Sequence, residues 1–157
     1  MLRLLENCQP TYVYCALYNL LKKYKDFTVL PKLPGLVIKC LLKLAKIIEK
    51  QSDSLETEKI LLVIHEYLLI IDHENKTQTD EMGIRITKTI INELVKIRGQ
   101  SIWESYKLVD EHSKQDTHIK RWIQLILTQP GQTPAKASEP TVAIEPLDTP
   151  KPQNAMN

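Results

Sequence analysis

Four histidines and three cysteines are the residues of this 157-residue chain best suited to metal or nucleophilic chemistry. A zinc site needs such residues at short spacings, so that two ligands converge on one ion. No two of His65, His73, His112 and His118 stand four apart, and Cys8, Cys15 and Cys40 form no CxxC pair. His65 lies in a largely apolar stretch, where a structural histidine is a simpler reading than a ligand. The cysteines sit among apolar residues, and their odd number supports no disulfide framework, so they read as buried, reduced thiols of a cytosolic protein. There is no glycine-rich phosphate loop, no GxSxG and no HExxH. The carboxylates gather at helix starts and exposed positions, and nothing selects an acid–base pair. The sequence therefore points away from an enzyme, and it implies neither a metal nor a cofactor.

The basic residues are better organised. Lys39, Lys43, Lys46 and Lys50 follow one another at spacings of four, three and four, and Arg85, Lys88, Asn92 and Lys96 at three, four and four. Each set makes one stripe of a helix. Such a stripe is either a solvated face or a surface for an acidic partner, with the lysine stems adding apolar contact. Neither stripe is interleaved with aromatics, and the net charge is only +2, which argues against nucleic acid. The aromatic residues concentrate late, at Trp103, Tyr106 and Trp122. These residue types serve as interface anchors or as core fillers. Trp122 sits on an apolar stripe and is expected in the core.

Helical periodicity must position these groups, since no stretch alternates apolar and polar residues over a strand length. A first helix is expected over Thr11–Tyr24, with Val13, Leu17, Leu20, Leu21 and Tyr24 on one face. The two prolines of TVLPKLPG interrupt the helical path, and a second helix follows over Gly35–Gln51. Asp53 and Glu56 stand at capping-box spacing before a third, Leu55–Asp72, whose apolar residues cover more than one face and mark it as the most buried. Asp80 is the expected cap of a fourth helix and Gly99 its stop. Ser101 and Glu104 repeat the capping-box pattern before a fifth, Ser101–Val109, and a sixth covers Gln115–Thr128. The fold class is all-α: five to six helices in antiparallel HEAT-like pairs, or a small helical bundle.

The chain divides at about residue 129. Residues 130–157 hold six of the nine prolines and no aromatic residue, which predicts a disordered tail beside a helical domain over 1–129. The tail has Lys136 and Lys151 against Glu139, Glu145 and Asp148, so residues 1–129 carry +3. The apolar run Ile60–Ile71 contains His65 and Glu66 and is too short to span a bilayer. MLRLLENCQP has no signal-peptide pattern and reads as the end of a helix, which suggests that Met1 begins a piece of something longer.

GIRITKTIINELVKIRGQSIWESYKLVD resembles the C-terminal region of the ch-TOG/Minispindles family of microtubule polymerases, with its insect branch the nearest. MLRLLENCQPTYVYCALYNLLKKY and LPGLVIKCLLKLAKIIEK fit the same region in order and spacing. The resemblance implies a TOG-like helical module from a large cytosolic protein whose TOG domains, built of HEAT repeats, bind tubulin. It further implies recruitment to centrosomes and spindle poles through the coiled coil of TACC proteins. Tubulin-binding TOG domains present a tryptophan and basic residues on the loops within each repeat. Here both tryptophans fall in expected helices, which favours the adaptor role over tubulin binding. The expected partner site is Trp103, Tyr106, Lys107, Lys120 and Arg121. The alternative is direct contact with tubulin through Lys39, Lys43, Lys46, Arg85 and Lys88. A monomeric module is expected, acting at the cytoskeleton without nucleic acid or membrane.

Overall fold

Residues 8–24, 30–72 and 77–129 are described by the computed structural model, with the backbone alone at Asp72, and six α-helices make up most of them. Helix α1 spans Pro10–Lys23 and α2 spans Leu33–Ile47. A 3-10 segment, Ile48–Ser54, leads into α3, Thr57–Asp72. Helix α4 covers Gln78–Arg98, α5 covers Ile102–His112 and α6 covers Ile119–Thr128. The expected disordered tail lies outside the described residues.

The boundaries depart from expectation where local chemistry competes with the hydrophobic pattern. Pro34 falls in the first turn of α2 rather than before it, because a missing N–H costs nothing where no intrahelical partner exists. The α-helix then tightens at Ile48 instead of running on to Gln51. Asp53 does not cap α3, since it lies within the 3-10 segment. The entry to α3 is held from elsewhere in the chain. The Glu56 N–H donates to Thr11 Oγ1 at 2.9 Å, and Arg98 donates to the Leu55 carbonyl at 2.7 Å and to Thr57 Oγ1 at 3.0 Å. Helix α4 is capped by Thr77, not by Asp80. The two form a capping box in which the Asp80 carboxylate accepts from the Thr77 N–H at 2.9 Å. Gly99 does end α4, at a φ of 56° that a side chain would resist. Ser101 makes no cap; its hydroxyl donates to the Arg98 carbonyl at 2.7 Å. Helix α6 starts at Ile119 rather than near Gln115.

The helices form two layers. In one layer α1 packs on α3 and α3 on α5; in the other α2 packs on α4 and α4 on α6. Consecutive helices α1/α2 and α3/α4 also pack across the layers, and their short connections require them to run antiparallel. This is the paired arrangement expected of HEAT-like hairpins. The third pair keeps the same layers, with α5 on α3 and α6 on α4, but α5 and α6 make little contact with each other. Helix α3 lies between α1 and α5 and against α4, which is why its apolar residues cover more than one face.

Tyrosine carries more of the core than the aliphatic pattern suggests. Helix α1 buries Thr11, Tyr14, Tyr18 and Leu21, while Val13, Leu17 and Leu20 are only half-buried. Tyr18 shares a hydrogen bond of 2.9 Å with Thr87 Oγ1, and Thr87 donates to the Gly83 carbonyl at 2.7 Å. The Tyr67 ring packs on Tyr18 with centroids 5.4 Å apart. Its hydroxyl occupies the space that a side chain on Gly83 would need: a Cβ there would lie 2.0 Å from Tyr67 Oη. These four residues join α1, α3 and α4 through the Tyr18–Thr87–Gly83 hydrogen bonds and close ring packing. The cysteines are not core residues. Cys8 is exposed, Cys15 and Cys40 are half-buried, and all three are free.

Candidate partner-binding face

The two layers differ in charge. Helices α2, α4 and α6 contain nine Lys and Arg residues against three acids, whereas α1, α3 and α5 contain four against six. Of the three acids on the basic layer, Asp80 is buried in the α4 cap and Glu93 pairs with Lys96 at 2.7 Å. Lys39, Lys43 and Lys46 on α2, Arg85 and Lys88 on α4, and Lys120 and Arg121 on α6 are all exposed. The two stripes legible in the sequence thus belong to neighbouring helices of one layer, and α6 extends the same surface. Charges of one sign on one face raise its local potential well above what the net charge suggests.

An open cleft of about 390 Å³ lies on this layer beside α6, lined by Leu68, Ile84, Lys88, His118, Arg121, Trp122 and Leu125. Ile84 and Leu125 supply apolar surface above the buried Leu68, and Leu125 remains 52 % exposed. Trp122 is half-buried rather than enclosed in the core. His118 stacks on its ring at a centroid distance of 5.8 Å, and Lys88 Nζ lies 5.1 Å from the ring centroid. A cation over an indole at an exposed site contributes about 0.5–1 kcal/mol. Lys88 and Trp122 thus line the cleft as a contacting pair.

The five residues expected from the sequence at a partner site do not converge. Lys120 and Arg121 lie on the basic layer, and Arg121 lines the cleft. Trp103, Tyr106 and Lys107 lie on α5, in the other layer. Tyr106 is 3 % exposed and meets the edge of Trp103 at a centroid distance of 5.9 Å. Burial, with Asp110 and Asp116 nearby, pushes its hydroxyl up to about 12. It is a core residue, and Trp103 is half-buried against the core. Lys107 is exposed on a helix that also carries Glu104, Asp110 and Glu111. Sequence reasoning missed the pairing of Lys88 with Trp122, which stand 34 positions apart.

His65 is 1 % exposed on α3, and its Nδ1 lies 3.0 Å from Thr117 Oγ1. The contact ties the segment between α5 and α6 to α3, and with it the start of α6. Burial lowers the pKa of this imidazole, against the opposing pull of Glu66 and Asp116. Among the described residues no group of three His, Cys, Asp or Glu could hold a metal ion, and no helix is long and apolar enough to cross a membrane.

The chain is similar to Protein mini spindles of Drosophila melanogaster, at 28 % identity over 124 residues and 78 % of its length. It is similar to Protein MOR1 of Oryza sativa subsp. japonica at 30 % identity over 143 residues, and to Protein MOR1 of Arabidopsis thaliana at 29 % over 143 residues, each covering 81 % of the chain. It spans only 6 to 7 % of the length of these relatives. No family model and no solved structure matches it. The alignments to fly and plant proteins cover about four-fifths of a chain folded into paired helices, and by them the chain belongs to the ch-TOG family, with mini spindles and MOR1.

Proposed function

We propose that this chain is a non-catalytic docking module of a microtubule polymerase, and that its α2/α4/α6 layer grips an acidic coiled coil of the TACC type. The single observation that carries this reading is the cleft beside α6, with an apolar floor of Leu68, Ile84 and Leu125 and a rim of Lys88 and Arg121. A coiled coil offers a narrow, charged ridge around an apolar seam. An apolar groove with a cationic rim complements both features. In this reading the site keeps Lys120 and Arg121, adds Lys88, Trp122 and Leu125, and leaves Trp103 and Tyr106 as support for the fold. The module would bring its parent protein to centrosomes and spindle poles within the cytoskeleton.

The test is a titration of the whole chain with a TACC coiled coil, followed residue by residue through amide shifts. Shifts should centre on Lys88, Arg121, Trp122 and Leu125. Lys88→Glu and Arg121→Glu should each weaken binding about tenfold, the loss expected for reversing a rim charge (about 1.4 kcal/mol). Trp103→Phe should leave affinity unchanged. Shifts confined to α1, α3 and α5 would refute the site.

One observation favours a second reading, in which tubulin is contacted directly. Lys39, Lys43, Lys46 and Arg85 extend the basic surface beyond the cleft, across two neighbouring helices. Co-sedimentation with microtubules over a range of salt concentrations separates the two. Pelleting at physiological ionic strength without coiled-coil binding would move the assignment to tubulin.

A further inference from the structure

We propose that the segment Glu139–Asp148, EPTVAIEPLD, docks into the cleft beside α6 of its own chain and competes there with the acidic partner. The competition rests on the partner reading above; the docking does not.

Helix α6 lines the cleft and ends at Thr128, and the chain continues for 28 residues from Pro130 to Asn157. Residues 130–138 form a tether that reaches about 30 Å when extended. The ten residues of α6 are about 15 Å long. The tether is therefore long enough to return the segment along the full length of the helix it has just left.

The charges of segment and cleft are opposite. The segment holds Glu139, Glu145 and Asp148 and no basic residue, while Lys136 and Lys151 fall outside it. The cleft is lined by Lys88 and Arg121 and by no acid, with Lys120 and Arg85 exposed on the same layer. The apolar content of the segment also fits the cleft. Val142, Ile144 and Leu147 are the only large apolar side chains between Pro130 and Pro152. Pro140 and Pro146 disfavour helix on either side of the first two. In an extended run Val142 and Ile144 point the same way, as a segment laid over Ile84, Trp122 and Leu125 requires. A segment with too little apolar surface for a core of its own can still order against a preformed groove.

Tethering makes a weak interaction sufficient. A short linker gives an effective concentration of roughly 1 mM. A segment that binds in free form with a Kd of about 0.1 mM would then hold the cleft about nine-tenths of the time and weaken an outside ligand about tenfold.

The experiment compares amide and indole resonances of the full chain with those of the chain carrying Ile144→Ser, Glu145→Lys and Leu147→Ser. Signals of Lys88, Arg121, Trp122 and Leu125 should differ between the two, independently of protein concentration, while those of Trp103 stay in place. Adding the free peptide EPTVAIEPLD to the variant should restore the original positions, and Lys88→Glu should prevent the restoration. Identical cleft signals in both chains would overturn the docking, as would differences that grow with protein concentration, which mark a second copy as the occupant. Affinity for the coiled coil is read in the same two chains, and the variant should bind about tenfold more tightly. Cleft signals that move while coiled-coil affinity stays constant would uphold the docking and remove the coiled coil from this cleft. Unmoved cleft signals beside coiled-coil binding at Lys88 and Arg121 would sink the docking alone.

Discussion

Replacing Gly83 by alanine opposes two effects whose sizes can be weighed. In the middle of α4 alanine gains about 1 kcal/mol in helix propensity over glycine. The new methyl would lie 2.0 Å from Tyr67 Oη and 3.2 Å from the ring carbon that bears it. A hydroxyl at the end of a free side chain could move aside. Tyr67 is 4 % exposed and its ring packs on Tyr18, so the ring and backbone must shift together. Overpacking of this kind costs about 1–3 kcal/mol, and a contact this short belongs in the upper half of that range, about 2–3 kcal/mol. The net loss should be about 1–2 kcal/mol, a fall in Tm of about 4–10 °C by thermal denaturation. Tyr67→Phe removes the clashing oxygen and leaves 3.2 Å as the closest approach. In that background Gly83→Ala should be neutral or stabilising, with a coupling energy of at least about 1 kcal/mol in the double-mutant cycle. Equal destabilisation in both backgrounds, or a wild-type chain made more stable by alanine, would refute this account of the joint.

Two further outcomes follow from buried polar groups. Arg98→Met should cost about 2–3 kcal/mol in urea denaturation, since it strands the Leu55 carbonyl and Thr57 Oγ1 at the start of α3. Arg98→Lys should recover less than half, because one ammonium cannot reproduce the guanidinium fork; a change under about 0.5 kcal/mol would show that α3 is held by packing alone. For His65, burial keeps the folded pKa below the ordinary value of about 6.5. Above that pH both states are neutral; below it the unfolded chain takes up a proton that the folded chain refuses. Stability should therefore fall as pH drops from about 6.5 towards the folded pKa, by at most about 1.4 kcal/mol per unit. His65→Gln should flatten the slope in that window, and an unchanged slope would assign it to other groups.

Much of the helix inventory could be read directly, because an amphipathic stripe is local and repeats every three or four residues. Gly99 stops α4 as its φ demands, and α3 is buried on more than one side as its composition requires. Caps were less legible. Asp53 and Asp80 carried the right side chains, yet α3 is entered under the control of Thr11 and Arg98, and α4 is capped by Thr77. A capping pattern states only what a residue could accept, while the choice among donors depends on chain segments tens of positions away.

The candidate face divides in the same way. By itself the sequence determined that the chain is helical, that Lys39, Lys43 and Lys46 share one stripe and Arg85 and Lys88 another, and that Lys120, Arg121 and Trp122 sit together on a late helix. Periodicity within a single helix suffices for each. Only the tertiary structure decided that α2, α4 and α6 lie side by side in one layer, that Lys88 stands over Trp122, and that Tyr106 turns inward with Trp103 on the opposite layer. Helix order along the chain does not specify which helices become neighbours. Here the non-consecutive packing of α6 on α4 brought separate basic stripes together, and it parted residues that are close in sequence.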